Sequence, residues 1–514
     1  MINAQFGLID DHEIIEFIGV DKVYSYQDLG AYLLNISSGY GESRYRPTYY
    51  LLRLIETFIF QSNTSFWYAS RILLTSIAIL IASHTIFMVS ASVTKNKSNV
   101  IPFIFSMSFI FVVFNFDFIN ELTSRLGPGE SYLFPLIAIG VYASYKCLSE
   151  EKIVWSYFLL CFSFLIGLGI KENFYIFIIP VTFVFVKKIK SVTKFRLLAF
   201  CSAYIASLSI FFLILAGFAG QYSRTNSDLY GNKRSLILFV TVLIENKYFL
   251  YSVLPFILLI AISFPNLAIK RIKIMVLNEY TLIPVFGVLI LLSETFFYQN
   301  YIFNNSFSTP RYSTLSALAF ILIFYTLLIR IQVLVQNNFQ TSPYFIKKSQ
   351  ISELYFIPVV LIMVLINSSI LLSYRSNAIY KSDSLNREMN SIKIGVKYLD
   401  KMKGSQINII VNEPWHYEYL YSIAAFSKFY ANIETNIFST VQISASDMEN
   451  EFERRLALEM INDSITGNYQ NRNTFNPISE QKMSSPIICF AMPGVILPNF
   501  CRIDVPIYVF NKTW

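Results

Sequence analysis

The chain has 514 residues, of which 54% are hydrophobic and only 14% charged, with a formal net charge of +8. Soluble domains carry about 25% charged residues, so this composition excludes an ordinary soluble enzyme and points to a polytopic membrane protein with room for one modest soluble domain. In such a chain the surplus of lysine and arginine reads as loops facing one leaflet and not as a nucleic-acid surface. Aromatic residues make up 17%, enough for interfacial belts and for a ligand that packs on rings. Of the five cysteines, Cys147, Cys161 and Cys201 fall in apolar runs and read as buried thiols. Cys489 and Cys501 could pair if their region lies outside the cytoplasm. No Cys/His spacing fits zinc.

Residues 1–65 form a first unit that mixes charged residues, glycine and short apolar stretches. It holds Ile9-Asp10-Asp11-His12-Glu13, four titratable side chains together. Two adjacent carboxylates repel, so their pKa values split and one becomes a candidate base. The alternative is an N-cap, with Asp10 or Asp11 opening a helix through Glu13 and Ile14. Next comes Glu42 to Tyr50, where Arg44 and Arg46 alternate with tyrosines. Guanidinium groups pair with phosphate oxygens and tyrosines pack on a sugar or lipid head; snorkelling at the interface accounts for them as well. Leu51 to Phe60, interrupted by Arg53 and Glu56, reads as an amphipathic helix lying at a membrane interface.

Apolar runs of membrane-spanning length follow near 66–93, 100–116, 132–147, 154–170, 174–186, 197–218, 248–264, 281–298, 312–331 and 354–373. They make 66–374 an all-α polytopic membrane bundle of about ten spans. The loops alternate. One set is short and basic, including Lys187, Lys188, Lys190, Lys194 and Arg196. The other carries Asp117 to Glu130, Lys171 to Asn173, Gln221 to Lys247 and Tyr298 to Arg311. The positive-inside rule puts the basic set in the cytoplasm. Residues 1–65, the second set and the segment after about Ser373 then share the outer compartment. An outer N-terminal region of this length expects a preceding span, ahead of the chain as given. His84, inside an apolar run, reads as a packing residue.

Within the outer loops, Gly127-Pro128-Gly129 bends the chain and delivers Glu130 to the start of a span. Glu130 reads either as a helix cap or as a second acidic group of an active site. Lys171 and Glu172 sit in a turn with almost no loop, self-paired or facing a ligand. Arg311, followed by Tyr312, lies at the outer end of a span, where an interfacial anchor is the plainer reading. Residues 375–514 read as a small α/β domain. Its strands fall at Ile407 to Val411, Pro486 to Met492 and Val505 to Phe510, and its helices at Trp415 to Tyr430 and Met448 to Ile461.

An acidic pair in the first outer loop, a later acidic loop, interfacial helices between them and an outer C-terminal domain resemble the GT-C superfamily of membrane glycosyltransferases. Ile9 to Glu13 is similar to the acidic motif of its protein mannosyltransferase and aminoarabinose transferase members. Arg125 to Glu130 resembles the second acidic loop, and Arg311-Tyr312 a late outer arginine facing the donor phosphate. The resemblance covers about residues 1–375. It implies a bacterial inner-membrane enzyme with its site facing the periplasm or exterior. Such an enzyme moves a sugar, with inversion, from a polyprenyl-phosphate donor to a glycan, lipid or protein acceptor. Asp10 would be the base, Asp11 its neighbour and Glu130 the second acid. His12, Arg44, Arg46, Lys171, Arg311 and Tyr312 would line the substrate site. Some members use a divalent metal and others none. Asp10, Asp11 and Glu130 are the oxygen ligands that would suit Mg²⁺ or Mn²⁺ if the fold joins them. The alternatives are an O-antigen polymerase or ligase and a lipid-linked-oligosaccharide flippase or transporter. A carrier should place ionisable groups at mid-membrane depth.

Overall fold

The computed structural model describes residues 46–94, 129–149, 153–225, 236–245 and 285–296, the strands 406–411, 434–439, 487–491 and 508–509, and isolated positions within 4–31, 108–127, 323 and 372–429. The spans expected near 100–116, 248–264, 312–331 and 354–373 lie outside these residues, isolated positions apart.

Helix α1 covers Pro47–Phe60 and α2 Thr64–Thr94, with α3 Glu130–Ser149 and α4 Ile153–Leu168 following. A 3₁₀ turn over Glu172–Phe177 leads into α5, Ile178–Lys188. A second short turn, Ile189–Ser191, precedes α6, Lys194–Thr225. Helix α7 is Leu236–Glu245 and α8 is Val285–Phe296. Among the described residues three segments are long and apolar enough to cross a membrane: Thr64–Val89, Glu130–Ser149 and Arg196–Leu213.

The side-chain distribution fits that setting. Trp155 and Leu198 are each 81% exposed, whereas Arg53 and Arg71 are fully buried. Water-soluble domains bury the opposite classes. Helix α3 forms the centre, packed along α2 on one side and α4 on the other. Arg71 meets Tyr132 near the starts of α2 and α3, and Tyr145 Oη donates to the Met88 carbonyl near their ends. These two helices therefore run parallel. Helix α4 returns antiparallel, so the starts of α2 and α3 and the end of α4 share one end of the bundle. Aromatic side chains fill the next seam, where Phe185 stacks on Phe200 and on Tyr204.

Two expectations change. The span at 174–186 begins as a 3₁₀ turn and becomes an eleven-residue helix only from Ile178. The Gln221 to Lys247 loop contains the last turn of α6 and all of α7. Leu236 to Ile244 has no glycine or proline to break it. Near the front, Ser25 and Asp28 form a reciprocal capping box: the Asp28 carboxylate accepts from Ser25 N–H and Oγ, and Ser25 Oγ accepts from Asp28 N–H.

Towards the C-terminus four strands, Gln406–Val411, Glu434–Ser439, Ile487–Ala491 and Tyr508–Val509, are β1 to β4. They pair in parallel in the order β2-β1-β3-β4. Ile409 faces Ile437 on one side and Ile488 on the other. Parallel neighbours require crossover connections.

Candidate functional site

The end of the bundle shared by the starts of α2 and α3 holds a buried layer of charge. Its framework begins with Pro47 at the first turn of α1, a position where the missing N–H costs nothing. Arg46 is the N-cap and makes no side-chain cap bond. The Thr48 and Tyr49 N–H groups donate instead to the Gly169 carbonyl just past α4, at 3.0 and 3.1 Å. Helix α1 is thereby pinned to the α4 terminus through its own orphan donors. A Cβ on Gly169 would stand 2.0 Å from Thr48 Oγ1 and 2.8 Å from Thr48 Cβ, so this approach needs glycine. Tyr49 Oη donates to the Gly127 carbonyl at 2.8 Å, tying in the loop that leads to α3. At the other end of α1, Gln61 has φ 47°, which lets α2 turn back, and Trp67 Nε1 donates to its carbonyl at 2.8 Å.

Glu130 is the first residue of α3, a favourable place for an acid beside the helix dipole. Gly129 caps that helix, its carbonyl accepting from the Tyr132 and Leu133 N–H groups. Lys171 Nζ donates to Glu130 Oε1, and the two residues are 5% and 3% exposed. Two candidates read separately from the sequence thus form one buried ion pair.

Tyr132, two residues further along α3, takes part in a second network. Arg71 NH1 donates to Glu56 Oε1 at 3.1 Å and its NH2 pairs with Oε2. Arg71 NH2 also donates to Tyr132 Oη at 2.7 Å, and that hydroxyl in turn donates to Glu56 Oε2. Ser70 Oγ adds a fourth bond to the carboxylate at 3.0 Å. The Arg71 guanidinium lies over the Tyr132 ring, 4.3 Å from its centroid. Arg53 Nε donates to Tyr49 Oη at 3.3 Å, and the Arg53 guanidinium lies between the Tyr49 and Trp67 rings. Among the described residues this end therefore collects Arg53, Arg71 and Lys171 against Glu56 and Glu130.

This revises the reading of α1. Arg53 and Glu56 do not face water at an interface; they face the bundle, while Ile59 is 61% exposed. The sequence reading missed Arg53, Glu56, Arg71 and Tyr132 as site residues. The available signal was Arg71, the single charged residue between Thr64 and Val89. A lone arginine in an apolar span needs an internal partner. A further buried carboxylate, Glu294, lies in α8 and is 1% exposed.

At the front of the chain, Asp11 is 3% exposed and its carbonyl accepts from the Ile14 and Ile15 N–H groups. It therefore opens a helical turn, in the N-cap position. Tyr68 Oη, one turn into α2, donates to the Gln5 carbonyl at 3.0 Å, which brings the N-terminal segment to the same end as the charged layer. Gln5 N–H donates to Asn386 Oδ1 at 2.9 Å, and the Phe6 and Phe426 rings lie 6.3 Å apart. The segment thus links the bundle to Asn386 and Phe426 of the C-terminal region. Asp10, His12, Arg44, Arg311 and Tyr312 lie outside the described residues.

Among the described residues no group of three or more His, Cys, Asp or Glu side chains is close enough to hold a metal. No family model, curated protein or solved structure matches the chain.

Proposed function

We propose that this chain is a GT-C-type membrane glycosyltransferase that takes its sugar from a polyprenyl-phosphate carrier. One observation carries the reading: Lys171 and Glu130, from two separate turns, meet at the end of the bundle where the N-terminal acidic segment also arrives. A site at a helix end lies at headgroup depth, where the phosphate of a lipid carrier sits and its prenyl tail can remain in the bilayer. The surrounding cations give the layer the sign that a phosphate leaving group needs. Glu130 opens α3, Lys171 lies just past the end of α4 and Arg71 stands about two turns into α2, helix-end placements that favour this reading over a carrier with mid-membrane ionisable groups.

In the proposed reaction Asp10 takes the proton of an acceptor hydroxyl. The hydroxyl oxygen attacks the anomeric carbon from the face opposite the phosphate, forming the new C–O bond with inversion. The bond from the anomeric carbon to the phosphate oxygen breaks, and polyprenyl phosphate leaves with the electron pair. Lys171, with Arg44, Arg46 and Arg311, would hold that phosphate, while Glu130 positions the Lys171 side chain. His12 and Tyr312 would contact the sugar. Asp11, in an N-cap position, is the neighbour that orients the segment. The parallel strands β1 to β4 belong, in this reading, to an α/β domain over residues 375–514 that lies on the same side as the acids and presents the acceptor. The site would face the exterior or periplasm of a bacterial inner membrane.

The test is transfer from a polyprenyl-phosphate sugar by Asp10→Asn. Transfer should drop at least a hundredfold at unchanged expression, the usual scale for removing a positioned base being about 10²–10⁴. Near-normal transfer by the variant would remove Asp10 as the base. Lipid and glycan profiling of a deletion strain identifies the donor: a lipid-linked sugar should accumulate as one glycan loses a residue.

A further inference from the structure

We propose that the turn joining α5 to α6 is a docking ledge for the headgroups of anionic phospholipids. The turn carries Lys187, Lys188, Lys190, Lys194 and Arg196 within ten residues, and no Asp or Glu occurs between Asn173 and Ser227. Lys188 is already engaged: its Nζ donates to the Leu148 carbonyl at 2.9 Å, neutralising the end of α3. Lys187, Lys190, Lys194 and Arg196 are exposed, Lys187 with its ammonium 5.7 Å from the centroid of the Phe183 ring.

Their depth follows from that same bond. Leu148 lies at the opposite end of α3 from Glu130. Eighteen residues at about 1.5 Å each separate the two charged layers by about 27 Å. That is close to the thickness of a bilayer's hydrocarbon core, about 30 Å. The ledge therefore stands at the second water–lipid boundary when the Glu130 layer stands at the first. The flanking surface agrees. Val186 just before the cations is 65% exposed and Leu198 just after them is 81% exposed, so the basic stretch is bracketed by side chains suited to acyl chains.

Helix stability explains only part of this charge. Lys187 and Lys188 close α5, where cations complement the dipole. Lys194 and Arg196 open α6, whose first turn has no acid. Cations there oppose the dipole, and among the described residues neither has an ion-pair partner. A leaflet of fixed phosphates at this depth supplies the missing partner, and each lysine or arginine near such a surface strengthens association by roughly fivefold.

The test uses the full-length protein in nanodiscs of mixed phosphatidylcholine and phosphatidylglycerol, with retained lipids counted by mass spectrometry after washing. Phosphatidylglycerol should be enriched over phosphatidylcholine at low salt and should lose most of that enrichment near 1 M salt, where the screening length falls to about 3 Å. Lys190→Gln with Lys194→Gln should lower the enrichment by roughly fivefold per removed cation, and the matching Lys→Arg pair should retain it. Unchanged enrichment in a variant with all four exposed cations neutralised would overturn the proposal. So would displacement of the lipid by millimolar glycerol 1-phosphate, which would make the ledge a site for soluble phosphate. If the neutralised variants do not fold, the salt titration and the glycerol phosphate competition on the unaltered protein still decide it.

Discussion

Lys171 and Glu130 show what a single residue can and cannot announce. Each stands out as a charge in a turn between apolar runs, but the partnership depends on α4 returning beside α3. Local sequence does not encode that return. The same limit applied to Arg53 and Glu56. A helix with a polar stripe reads as polar side to water, and the rule inverts when the outer medium is lipid. Burial makes these pairs costly to break singly. A buried ion pair that loses one member leaves an uncompensated charge, at a cost of about 3–5 kcal/mol. Lys171→Met and Glu130→Gln should each lower the unfolding midpoint of the detergent-solubilised protein markedly. The double variant, which leaves no charge behind, should recover most of the loss. Additive losses would mean that the two side chains do not share one environment.

Among the elements, long apolar helices were legible because composition and length suffice to identify them. Thr64–Thr94 and Glu130–Ser149 stand within a few residues of the expected runs, and Lys194–Thr225 contains its run whole and continues seven residues past it. Short pieces were not: Glu434–Ser439 begins Glu-Thr-Asn, polar residues that hide a strand lying at one edge of the sheet beside β1. Nor was the docking of α1, because it runs through backbone groups. Gly169 receives two N–H bonds from α1 with Thr48 against its Cα. Gly169→Ala should force the β-branched Thr48 aside, costing about 1–3 kcal/mol, the range for overpacking. It should also detach α1, exposing the Tyr49 and Arg53 surface to proteolysis. Adding Thr48→Gly removes the nearest atoms and should restore part of the stability. If Gly169→Ala melts like the unaltered protein, α1 is not held by this contact.

At the scale of the whole molecule, two charged layers define a slab. One contains Glu130 and Lys171; the other is the basic turn that Lys188 fastens to the end of α3. Helix α3 joins them, packed between α2 and α4 with 83% of its apolar window buried, whereas in α6 only 17% is buried. The N-terminal segment belongs to the first layer, since Tyr68 near the start of α2 holds Gln5. Its exposed Gln27 should therefore lie across the membrane from the exposed Lys190. In a background with the five native cysteines replaced, Gln27→Cys should react in intact cells with a thiol reagent that cannot cross the membrane. Lys190→Cys should react only after permeabilisation, because the positive-inside rule places the basic turn in the cytoplasm. The reverse pattern would turn the molecule over and put the proposed sugar chemistry on the wrong face for an outer acceptor. Labelling of both sites from one side would separate the two layers from the two membrane surfaces, and the bilayer-wide spacing along α3 would then have another cause.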